Sequence, residues 1–141
     1  MGKRLLVLDR NRNIRALLQR ELLREGYEVV LFRNYSELRE HLKIDSNYDL
    51  IILDTDSFET SPSQLPSWID EIKVPVVIHS CLPGSWMDDH FSVNLNKERQ
   101  PVVIVAKENV EELKRVVKKI IALSERQSDQ TQLAGETGNK P

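Results

Sequence analysis

The chain has 141 residues, 40% hydrophobic and 30% charged, a balance that suits one soluble globular domain large enough to bury a core. A formal net charge of −2, with basic residues spread along the chain, gives no electrostatic case for a nucleic-acid partner. The single cysteine, Cys81, excludes a disulfide framework.

The N-terminal apolar run, Leu5 to Leu8, is too short for a signal-peptide core or a membrane span. Gly2 does not open a myristoylation signal, because position 6 is Leu. A cytoplasmic protein with no membrane partner is expected.

Arg4 to Leu8 is a continuous apolar run, the pattern of a strand covered on both faces. Ile14, Leu17, Leu18 and Leu22 then recur at helical spacing. Gly26 supplies a left-handed stop after that helix. Glu28 to Phe32 reads as a second strand. Asn34 to Glu37 offers a capping box for a helix through about Lys43. Asp49 to Leu53 is a third buried strand, and Asp54-Thr55-Asp56 follow it.

A short third helix is predicted from Pro66 to Lys73, because proline is tolerated in a first turn. Val74 to His79 is a fourth strand, with Pro75 near its start. Ser80 to Gln100 is polar, with an alternation of Phe91, Val93 and Leu95 that suggests an extended piece. Pro101 to Ala106 is a fifth strand. Asn109 caps a last helix carrying Val110, Leu113, Val116, Val117, Ile120 and Ile121 on one face. From Glu125 to Pro141 almost nothing is available to bury, which predicts a disordered tail after a domain spanning residues 1–124.

Strand and helix alternate five times. That order predicts an α/β fold with a parallel sheet between layers of helices. In such sheets, chemistry sits at the carboxyl ends of the strands, near the switch in strand order. Asp9, Arg10, Asp54, Asp56, Ser80, Ala106 and Lys107 are the residues at those ends.

Four segments carry a resemblance: KRLLVLDRNRNIR (Lys3 to Arg15), GYEVV (Gly26 to Val30), DLIILD (Asp49 to Asp54) and VPVVIHS (Val74 to Ser80). Over roughly residues 3–124 the chain resembles a response-regulator receiver domain of bacterial two-component, or phosphorelay, signalling. The resemblance implies a flavodoxin-like, doubly wound (βα)5 fold. It implies a histidine kinase, or another signalling protein, as partner, and a site at which an aspartate accepts a phosphoryl group beside Mg2+. Asp54 matches the phospho-acceptor. Asp9 matches the first acid of the metal-binding pair. Asp56 falls where the family offers a backbone carbonyl to the metal, and Ser80 matches the hydroxyl residue that contacts the phosphoryl group.

Two departures accompany the match. The second metal-binding acid falls on Arg10, which offers no acceptor and carries a fixed positive charge. Arg10 therefore opposes a bound Mg2+, and it is expected to pair with Asp54 or Asp9 and stand in for the metal's charge. The family's strand-five lysine falls on Ala106, with Lys107 one residue later. A shift of one residue along a strand can aim Lys107 elsewhere, whereas a slightly different loop brings it to the site, and Lys107 is kept as a candidate site residue beside Asp54 and Ser80.

No metal-ligand spacing joins His79, Cys81, Asp88 and His90, and Trp68 and Trp86 suit packing. No glycine-rich phosphate loop and no nucleophile–base pairing is apparent, so a metabolic enzyme is not expected. Two functions stay open: a receiver that relays a phosphoryl signal through a partner, and a pseudo-receiver that binds partners without phosphorylation. Self-association as a homodimer is open in both.

Overall fold

The computed structural model describes residues 2–54, 72–80, 102–107 and 109–138. Five parallel strands form one sheet: β1 (Arg4–Leu8), β2 (Glu28–Phe32), β3 (Leu50–Asp54), β4 (Val76–Ser80) and β5 (Val102–Ala106), in the order β2-β1-β3-β4-β5. The order reverses at β1, between β2 and β3, so the carboxyl ends of β1 and β3 border the switch point. This is the doubly wound, flavodoxin-like arrangement expected from the alternation of elements.

The continuous apolar runs are explained by coverage on both faces. Leu6, Leu8, Ile51, Leu53, Val76 and Ile78 pack with Leu38 of α2 (Tyr35–Ile44) on one face. Leu5, Val7, Leu50, Ile52, Val77 and Val105 pack on the other. There they meet Leu18 and Leu22 of α1 (Arg12–Arg24) and Leu113 and Val117 of α3 (Val110–Gly138). Odd and even positions of each strand thus belong to different layers.

Local chemistry sets the helix ends. Asn11 caps α1, its Oδ1 accepting from the N–H groups of Asn13 at 2.9 Å and Ile14 at 3.2 Å. Gly26, at φ 90°, ends it in the left-handed conformation. Tyr27 N donates to Leu22 O at 3.2 Å and Gly26 N to Leu23 O at 3.0 Å, which closes a Schellman turn. Asn34 caps α2 through Glu37 N at 3.0 Å, and the Glu37 carboxylate accepts in return from Arg33 N at 3.2 Å.

Several boundaries differ from expectation: β3 runs Leu50–Asp54 where Asp49 to Leu53 was expected, and β4 ends at Ser80 where His79 was. β4 starts at Val76 rather than Val74, because Pro75 has no N–H and enters the ladder only through its carbonyl, which accepts from Ile51 N at 3.0 Å. The predicted helix from Pro66 to Lys73 falls largely outside the described residues, and its last two positions, Ile72 and Lys73, are not helical. The extended piece predicted within Ser80 to Gln100 lies, after Ser80, outside them as well.

The disordered tail predicted from Glu125 is corrected in part: α3 continues through Gly138. The lack of apolar residues there removes a reason to pack, but it does not break a helix. Residues 125–134 include the helix formers Glu, Arg, Gln, Leu and Ala and neither Gly nor Pro. Extending an existing helix fixes one residue per hydrogen bond, without a second nucleation. No helix among the described residues is long and apolar enough to cross a membrane.

Ile52 is 1% exposed at the centre of the face shared by α1 and α3. Truncation to alanine removes buried methyl groups and leaves a cavity, so Ile52→Ala is expected to cost about 2–5 kcal/mol. Urea unfolding followed by circular dichroism measures it; a loss below about 1 kcal/mol would mean that this layer is loosely packed.

Candidate functional site

Asp9, Asp54 and Lys107 meet at the carboxyl edge of the sheet. Lys107 Nζ lies 2.5 Å from Asp54 Oδ1 and 3.2 Å from Asp9 Oδ2. Both aspartates are 1% exposed, and the lysine side chain is 8% exposed. This is a buried ion-pair triad with two negative charges and one positive.

Strand parity explains the convergence. Val7 and then Asp9, Ile52 and then Asp54, and Val105 and then Lys107 each step two residues along a strand, and Val7, Ile52 and Val105 all pack on the α1/α3 face. The ladder carries on past the end of β5, with Lys107 N donating to Ser80 O at 2.8 Å. Lys107 therefore remains in register and continues the face that Asp9 and Asp54 occupy. Of the two placements the sequence left open for Lys107, the structure has the one at the site. Alternation favours Lys107 over Ala106, whose parity belongs to the opposite face.

The turn after β1 holds Asp9 firmly. Its N–H donates to Phe32 O at 3.1 Å. Its Oδ1 accepts from Asn11 N at 2.8 Å. Arg15 donates one guanidinium nitrogen to the carbonyls of Asp9, at 2.7 Å, and Arg10, at 3.1 Å. Arg15 is a residue that sequence reasoning passed over. Its signal was a cation at helical reach behind a strand-end turn.

Arg10 is exposed and forms no ion pair among the described residues. The expected pairing of Arg10 with Asp54 or Asp9 is corrected: Lys107 already occupies that position between the carboxylates. Asp54 Oδ2 is buried and accepts no hydrogen bond among the described residues. It is the free acceptor of the triad.

Ser80 is fully buried at the end of β4, one position beyond His79, the register partner of Asp54. It has the parity of Val76 and Ile78, which pack on the α2 face. His79 is 1% exposed. Asp56, Cys81, Asp88 and His90 lie outside the described residues. Among those described, no group of three or more His, Cys, Asp or Glu side chains is placed to hold a metal ion.

Burial works to lower the pKa of Lys107, but the close contact with Asp54, its charge, and then Asp9 outweigh it and hold the pKa above the ordinary lysine value. A group whose pKa is raised by folding contributes stability in full below its unfolded pKa. That contribution is lost as pH climbs through the raised value. Wild type is therefore expected to lose stability above the ordinary lysine range, and Lys107→Met is expected to lack that alkaline loss. At neutral pH the same substitution strands two buried carboxylates, at a cost of about 3–5 kcal/mol. Urea midpoints across pH check both; parallel pH profiles would show that Lys107 is not held by the carboxylates.

The chain matches no protein-family model and no curated protein. It is similar to many solved structures. One is the response regulator TrrA from Thermotoga maritima, solved in complex with Mg2+-BeF: 32% identity, TM-score 0.63, over 84% of this chain and 98% of that one. A CheY-like receiver domain protein from Methanospirillum hungatei shares 16% identity at TM-score 0.71, over 90% and 99%. The Vibrio cholerae chemotaxis protein CheY4 shares 16% at TM-score 0.64, over 85% and 99%. With the sheet order, the acidic strand ends and a solved relative at this identity in agreement, the chain belongs to the response-regulator receiver family.

Proposed function

We propose that this protein is a phosphorelay receiver in which Asp54 accepts a phosphoryl group from a histidine kinase or other signalling donor and a partner protein reads the result. The observation that carries this reading is Lys107, seated on both Asp54 and Asp9. A carboxylate needs a fixed cation beside it if an anionic phosphoryl group is to approach. The buried Asp54 Oδ2, with no hydrogen-bond donor among the described residues, is the attacking atom.

In the step, a lone pair of Asp54 Oδ2 forms a bond to phosphorus. The P–N bond of a phosphohistidine donor breaks, and the departing imidazole nitrogen keeps the electron pair and takes a proton. The product is an acyl phosphate on Asp54. Lys107 balances charge on the phosphoryl oxygens, and the Ser80 hydroxyl at the same edge is their proposed hydrogen-bond donor. Signal transmission is then a population shift of the surface that the partner meets. The protein has no separate substrate to turn over and is not an enzyme in that sense.

Mg2+ is the cation that the family pattern implies. It takes oxygen ligands in near-octahedral geometry. Here Asp9 Oδ1 is engaged by Asn11 N, Lys107 lies on Asp9 Oδ2 and Asp54 Oδ1, and the second acid is replaced by Arg10. This donor set does not fit the metal, and no step is routed through one.

Arg10 also favours a second reading, a pseudo-receiver that binds partners without phosphorylation. Incubation with phosphoramidate, a small phosphoryl donor, followed by intact mass measurement, separates the two. A phosphoryl adduct is expected on wild type and not on Asp54→Asn. An unmodified wild type would reject the acceptor reading and leave the interaction module.

A further inference from the structure

We propose that Arg10 is the second cation of the phosphoryl site, taking the place of a metal, so that transfer to Asp54 proceeds without a divalent ion. The inference rests on the phospho-acceptor reading above. It starts from charge. Before transfer the buried triad holds two carboxylates and one ammonium. After transfer a phosphoryl dianion replaces the single charge of Asp54, and Lys107, the one cation seated there among the described residues, faces three negative charges. A second positive group is required at the edge where the phosphoryl oxygens emerge.

Arg10 is placed to supply it. It directly follows Asp9, is exposed, and makes no ion pair among the described residues. Its backbone is fixed by the Arg15 contacts to the carbonyls of residues 9 and 10 and by the Asn11 cap. The guanidinium is thus an exposed group on an anchored stem. No acid in the first turn of α1 competes for it. A guanidinium presents a rigid planar fork that matches two phosphoryl oxygens at once, whereas an ammonium acts as a point charge without that geometry. In the unmodified chain Arg10 forms no ion pair with Asp54 among the described residues, and Lys107 is the cation seated on that carboxylate. On this proposal the new acceptors of the dianion fall within the reach of Arg10.

The test follows the initial rate of phosphoramidate labelling by intact mass, in EDTA and in Mg2+. Wild type is expected to be labelled on Asp54 in EDTA. Loss of a charge-assisted contact in Arg10→Ala should slow labelling in EDTA about tenfold or more, with partial recovery in Arg10→Lys. Arg12→Ala, which removes the next exposed arginine, should match wild type. Arg10→Asp should be labelled only when Mg2+ is present. Circular dichroism confirms that each variant is folded. Wild-type labelling that requires Mg2+, or equal rates for wild type and Arg10→Ala in EDTA, overturns the role of Arg10 and leaves Asp54 as acceptor. Absence of any adduct in both buffers overturns the acceptor reading itself, and this proposal with it.

Discussion

One ammonium between two buried carboxylates is the interaction on which the site depends. Removing Asp9, Asp54 and Lys107 from water is costly, and the cost is offset only when the opposite charges meet at close range. That requirement fixes the ends of β1, β3 and β5 relative to one another. Strands β1 to β4 contribute apolar residues to two layers, and the charges of the triad lie at the carboxyl ends of β1, β3 and β5. The site is therefore a consequence of the fold's edge, and the apolar layers beneath it hold its geometry.

Much of this could be read from residues. The apolar runs at Leu5 to Leu8 and Leu50 to Leu53 required a sheet covered on both sides, and Gly26, Asn34 and Asn109 marked helix ends where the structure has them. Asp54 at the end of β3 and Asp9 at the end of β1 were legible from strand order alone. Lys107 was harder. Counting from the family's lysine position pointed to Ala106, whereas counting by twos from Val103 and Val105 points to Lys107. The second count reflects the physical constraint, because a strand's parity is set by which face is buried.

Arg10 is hard to place from sequence for a different reason. Charge attraction alone predicts that it turns inward to a carboxylate, but whether it does depends on which cation arrives first from elsewhere in the chain. Lys107 is distant in sequence, and only the β4–β5 ladder reveals that it fills the position. The extension of α3 is not legible from burial, because a lack of apolar residues removes a packing surface without removing helicity. A polar sequence can continue a helix that an apolar one began.

The account turns on the coupling of Lys107 to Asp54. A double-mutant cycle with Asp54→Asn, Lys107→Met and the combined variant, measured by urea unfolding at neutral pH, tests it most directly. A buried pair predicts strong non-additivity, about 1.5 kcal/mol or more, with the double variant more stable than Lys107→Met alone. Effects that add to within about 0.5 kcal/mol would contradict the pairing and the site built on it.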